Sequence, residues 1–127
     1  MNDEIKLNEE FILPRDLSAM AKTFFVQTEK NLRQDGWFIK KGSTVTGVKV
    51  IAAGEKIRDV QRLVNKYLLQ NGDKTKAQDW YKCHGTAVLT NGTEEKIKEI
   101  HWYQCENIGK VEFKEKRWRD KNDTAQV

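Results

Sequence analysis

One proline, two cysteines, two histidines and no long apolar run in 127 residues are the scarcities of this chain, and each excludes a class of protein. No window approaches the roughly 18 apolar residues of a membrane span. The acidic, polar N-terminus lacks the basic patch and apolar run of a secretory leader, so the chain is expected to be cytoplasmic as encoded, with no membrane partner. Cys83 and Cys105 are too few for a disulfide framework and are expected as buried or half-buried thiols, with a bridge between neighbouring strands left open. There is no Cys-x-x-Cys, Asp-x-Asp or His-Glu-x-x-His pattern and no glycine-rich phosphate loop. Cys83 and His84 are adjacent and point to opposite faces of a strand, whereas His101 and Cys105 lie about 13 Å apart along another. No metal and no cofactor are expected. The chain has no internal repeat and no low-complexity segment.

What is present is a mixture of 38% hydrophobic and 33% charged residues with four tryptophans. That composition, at this length, predicts one α+β domain over 1–127, with a polar lead at 1–13 and a frayed tail at 119–127. The net charge of +4 is uneven, because five acids and two bases fall in residues 1–20 and leave +7 on the remainder. A basic body suits a polyanionic partner, RNA or another nucleic acid, and suits equally a surface kept charged for solubility.

The periodicity predicts two helices followed by an antiparallel β-meander, with a short extra strand pair between the helices. The first helix begins near Asp16, buries Leu17, Met20, Ala21, Phe24, Thr28 and Leu32, and ends at Gly36. The strand pair is Trp37–Lys40 and Val45–Ala52, where Gly47 marks a bulge or a close backbone approach. The second helix follows Gly54, with Ile57, Val60, Leu63, Val64, Tyr67 and Leu68 as its buried stripe. Trp80–Thr90 opens the meander, and the stretch Glu99–Lys116 forms its central hairpin.

In that hairpin Ile100 and Trp102 alternate with Glu99, His101 and Tyr103. A four-residue loop, Glu106–Gly109, places Trp102 beside Phe113. The opposite face then pairs Tyr103 with Glu112, His101 with Lys114 and Glu99 with Lys116. An imidazole, a phenol, carboxylates and ammoniums on one face are what metal-free cleavage of an RNA phosphodiester needs. His101 and Glu112 would share acid–base work, Lys114 would hold phosphate and Tyr103 would position the substrate. The bland alternative is a solvated face of cross-strand ion pairs. Arg58 and Arg62, one helical turn apart, are candidate phosphate ligands, and Lys82, Lys116 and His84 can extend the basic surface. Of Trp37, Trp80, Trp102 and Trp118, the last, flanked by two arginines, is the candidate for stacking on a base.

The segments KIRDVQRLVNKY (56–67), DWYKCHG (79–85), EIHWYQCENIG (99–109) and KVEFKEKRW (110–118) resemble a module at the C-terminal ends of bacterial polymorphic toxins and of phage head-associated (MuF-type) proteins. The resemblance implies a small metal-independent ribonuclease of helices followed by a meander. It carries over Arg58, Asp59, Arg62, Trp80, Lys82, His101, Trp102, Tyr103, Glu112 and Lys114. It also implies a cognate acidic immunity protein, and delivery to a target cell or carriage in a phage particle. The alternative is a non-catalytic phage or mobile-element accessory protein that binds protein or nucleic acid through the same face.

Overall fold

The computed structural model describes residues 22–32 and 36–116. Its centre is a pair of eleven-residue strands, β5 (Trp80–Thr90) and β6 (Glu95–Cys105), matched without a slip from Trp80↔Cys105 to Thr90↔Glu95. The third meander strand, β7 (Gly109–Glu115), pairs with β6. On the other edge of β5, the ten-residue β4 (Thr44–Ala53) covers one end and the short β3 (Phe38–Ile39) the other. Two further short strands, β1 (Phe24–Phe25) on β4 and β2 (Lys30–Asn31) on β3, complete a curled antiparallel half-barrel.

This architecture overturns the expected two helices before a meander. The one α-helix among the described residues is α1 (Val60–Lys66), which is the second expected helix in shortened form. The first expected helix falls partly outside the described residues, and where it is described it is two short strands, Phe24–Phe25 and Lys30–Asn31, joined by irregular chain. The reason is local. Thr23, Phe24, Phe25 and Val26 are β-branched or aromatic, and Phe24 and Val26 are buried on either side of an exposed Phe25. A period of two therefore overrides the looser helical spacing of Phe24, Thr28 and Leu32. The expected strand pair also changes partners, because β3 and β4 do not pair with each other but line up along the same edge of β5.

Bulges curl the sheet. Between Thr46↔Thr86 and Lys49↔His84, β4 carries one residue more than β5, and Gly47 sits there at φ +63°. A second extra residue follows between Val50 and Ala52. In β7 a third bulge falls between the His101 and Tyr103 pairings, where Glu112 adopts φ +58°. Each extra residue sharpens twist and bends its strand, so the outer strands wrap around the regular β5–β6 pair.

The two faces of this sheet carry two cores. On the concave face Cys83, Ala87, Leu89, Ile100, Trp102 and Phe113 meet Phe24, Val26 and Val45. Trp102 is the hub, edge-on to Phe24 with ring centroids 5.4 Å apart and stacked on Phe113 at 5.3 Å. On the convex face, Trp80, Cys105, Tyr103 and Val111 pack under α1 through Ile57, Val60, Leu63 and Val64. Trp80 is fully buried there, and its indole N–H donates to the Thr75 hydroxyl at 2.8 Å. The cysteines lie in different cores, both as free thiols that burial pushes up to about 12.

Gly85 lets β4 lie close over Trp102. A Cβ at this position would stand 2.9 Å from Val45 Cγ1, 3.0 Å from the Thr46 carbonyl oxygen and 3.3 Å from the Trp102 ring. The carbonyl belongs to a paired strand and cannot swing aside. Gly85→Ala should therefore lower the unfolding free energy by roughly 1–3 kcal/mol, the usual cost of overpacking a filled core. Urea titration of the two proteins reads the difference, and an unchanged midpoint would show that β4 moves freely.

Candidate functional site

Past the end of α1, the convex face is polar. Residues directly opposite in an antiparallel ladder point the same way. The pairings Lys82↔Tyr103, His84↔His101 and His101↔Lys114 therefore bring two imidazoles, a phenol and two ammoniums onto one surface. Asp59 and Arg62 overhang it from the start of α1. Together Asp59, Arg62, Lys82, His101, Tyr103, Glu112 and Lys114 border a cleft of about 290 Å³.

Glu112 is the structural anchor of the cleft. The expected Tyr103–Glu112 pairing does not form, since the hairpin loop has three residues, with Cys105↔Gly109 at its base, and Tyr103 faces Val111. Asn107, at φ +70°, turns the loop one residue sooner than expected. The bulge then restores the expected His101↔Lys114 register and throws the Glu112 side chain toward α1. There its carboxylate accepts from Arg62 Nη1 and Nη2 at 3.0 and 2.9 Å, from the Tyr67 hydroxyl at 2.7 Å and from Lys66 Nζ at 3.3 Å. Its side chain is 5% exposed. Burial acts to raise this carboxyl, but the hydrogen bonds from Arg62, Tyr67 and Lys66 outweigh it and hold the group down at about 2. Such a carboxylate is a poor proton acceptor at neutral pH.

Arg62 is fixed by the same contacts. Its Nε also donates to Asp59 Oδ2 at 3.0 Å, and the Asp59 Oδ1 accepts from the Tyr103 hydroxyl at 3.3 Å. Burial and the neighbouring Asp59 carboxylate both raise the Tyr103 phenol above its ordinary value. Two cations also approach the Tyr103 ring, Arg62 and Lys82, each about 6.0 Å from its centroid.

His101 is electrostatically different from every other group here. Burial, then the charges of Lys82, Lys114 and Lys116 and the nearby His84, push its imidazole down to about 4. At pH 7 it is neutral and keeps a lone pair. His84, by contrast, has its Nδ1 2.9 Å from Glu99 Oε2. Among the described residues no carboxylate lies within ion-pair distance of Lys82 or Lys114, so these two ammoniums present positive charge to the cleft.

Of the residues singled out from sequence, Asp59, Arg62, Lys82, His101, Tyr103, Glu112 and Lys114 converge on the cleft. Lys116 stands just past the end of β7, two residues beyond Lys114, where its amide N–H donates to the Glu99 carbonyl. Arg58 does not border the cleft and is exposed in the turn before α1. Trp118 lies outside the described residues. Trp80 and Trp102 are buried and unavailable for stacking. Sequence reasoning missed Tyr67 and Lys66 as partners of Glu112, because a positive φ at glutamate leaves no sequence signal. Among the described residues, no group of three His, Cys, Asp or Glu side chains is placed to hold a metal ion. No helix among them is long and apolar enough to cross a membrane. Compared with family models, with curated proteins and with solved structures, the chain matches none.

Proposed function

We propose that the cleft binds an RNA phosphodiester and cleaves it by metal-independent transesterification. The observation that carries this reading is the His101 imidazole set in the cleft between Lys82 and Lys114, two ammoniums that lack carboxylate partners among the described residues. The cations attract phosphate, while burial and that same field keep His101 deprotonated and able to accept a proton. In the reaction His101 takes the proton of the ribose 2′-hydroxyl, and the 2′ oxygen attacks the adjacent phosphorus. The P–O5′ bond breaks, and the leaving 5′ oxygen takes a proton from the Lys114 ammonium, which water later replenishes from the imidazolium. The products are a 2′,3′-cyclic phosphate and a 5′-hydroxyl. Lys82 and Arg62 stabilise the charge that builds on the phosphorane. An arriving phosphate also cancels part of the ammonium field and raises His101, so the base strengthens when substrate is bound.

A second reading, non-catalytic binding of nucleic acid, is favoured by the engagement of Glu112, which removes the carboxylate that would otherwise complete an acid–base pair. Incubating purified protein with total RNA and tRNA in EDTA separates the two. Wild type should leave cyclic phosphate ends, and a His101→Ala variant of matched circular dichroism should lose about 10²–10⁴ in rate. Equal cleavage by both would place the activity elsewhere. Bound but uncleaved RNA would leave the binding reading.

A further inference from the structure

The basic surface does not end at the cleft. Lys49 of β4 pairs with His84, His84 with His101 and His101 with Lys114, so one cross-strand row runs over β4, β5, β6 and β7. The facing of Lys49 follows from its neighbour, since Val50 packs into the concave core beside Cys83 and the next residue must point outward. The bulge at Gly47 sets this phase. Without the extra residue, the partner of His84 would be Val48, which is instead buried at 5% exposure in the concave core. The row spans three inter-strand steps, about 14 Å between its outer backbones, which is more than one phosphate occupies. Lys49 and Lys114, at its two ends, are both exposed. Neither has a carboxylate within ion-pair distance among the described residues.

We propose that a single-stranded nucleic acid lies across the strands along this row, with one phosphate in the cleft by His101 and Lys114 and a neighbouring phosphate held by Lys49. This rests on the reading of the cleft as a phosphodiester site, and it adds the direction and length of the bound strand. A strand following the row crosses β5 and β6 at the two histidines. His84, braced by Glu99 at 2.9 Å, forms the surface between the two phosphate positions. The narrow, one-residue-wide track suits a flexible single strand. A duplex would need cations flanking the row on both sides, whereas on the flank toward the β5–β6 turn the first pair is Thr86 with the acidic Glu99 and the next is Val88 with exposed Ile97.

The test uses a 2′-O-methyl uridine tetramer and a 2′-O-methyl dinucleoside monophosphate, neither of which has the hydroxyl needed for cleavage. Lys49→Ala should weaken tetramer binding about ten-fold and the dimer less than two-fold. It should also reduce the slope of log K against log salt by about 0.7, the value for one phosphate contact on a single strand. Lys41→Ala, an exposed change in the turn before β4, should alter neither. Equal loss for tetramer and dimer, or an unchanged salt slope, would overturn the track while leaving the cleft reading intact. Wild-type protein that fails to bind the tetramer at low salt would overturn both. Binding of the expected pattern without any RNA cleavage would uphold the track and remove only the catalytic step.

Discussion

Replacing Glu112 with alanine should cost about 3 kcal/mol of stability while leaving anion binding in the cleft undiminished. The carboxylate ties β7 to α1 through four hydrogen bonds, and it is the buried member of each pair. Removing it leaves the Tyr67 hydroxyl and the Arg62 fork without their acceptor. Arg62 itself is 39% exposed and recovers water, which keeps the loss at the lower end of the range for breaking a buried pair. The backbone adds a second, separable effect. At φ +58° any side chain is disfavoured, so Glu112→Gly should be more stable than Glu112→Ala by about 1 kcal/mol although it removes one more atom. The sign on binding distinguishes an anchor from a catalytic group. Taking away a negative charge makes the cleft more positive, so phosphate affinity should hold or rise. Urea unfolding of the three proteins, with titration of a 2′-O-methyl oligonucleotide into each, reads both quantities. A fully stable Glu112→Ala protein would show that the network is not what holds β7 to the helix.

Such an anchor lies beyond what the sequence displays. Alternation of apolar and polar residues identified β5, β6 and β7 because these strands bury one face and expose much of the other, and it placed Trp102 against Phe113. It also put His101 opposite Lys114, since that pairing is forced by the need to keep Trp102 and Phe113 inward. The failure came in the turn, where one residue fewer in the loop and one more in the strand cancel. Periodicity is blind to two errors that compensate, and the residue between them, Glu112, changed role from proton acceptor to brace. The first expected helix failed for a related reason. Short strands of two residues bury at most one side chain here, so Phe24–Phe25 and Lys30–Asn31 offer too little pattern to outvote a helical stripe. Bulges decided the rest. Gly47 hinted at one, but neither the second shift in β4 nor the bulge at Glu112 involves a residue type that announces it.

Acid should lower the stability of this protein in two separable steps, one belonging to His101 and one to Glu112. In the folded chain His101 is held at about 4 against an ordinary 6.5, so between these values the unfolded chain binds a proton that the native one does not. Stability is therefore flat above about pH 6.5 and falls as the pH drops toward 4. Its ring is partly exposed and faces Lys82, Lys114, Lys116 and His84, so screening limits this step to about 2 kcal/mol. Glu112 is held at about 2 against an ordinary 4.5, so its contribution is complete above pH 4.5 and is lost on the way down to 2. The buried carboxylate makes this second step the larger, at about 3 kcal/mol. Urea midpoints at half-unit intervals from pH 7.5 to 2.5 should show both falls. His101→Gln should flatten the profile between pH 6.5 and 4 and leave the lower step in place, whereas Glu112→Gln should start less stable and lose only the lower step. A wild-type profile that stays level down to pH 4.5 would mean that His101 is protonated as easily in the folded chain as in the unfolded one. The imidazole would then carry charge at mildly acidic pH, where the proposed chemistry needs it neutral. The same titration that measures stability thus tests the proton acceptor of the cleft without any substrate present.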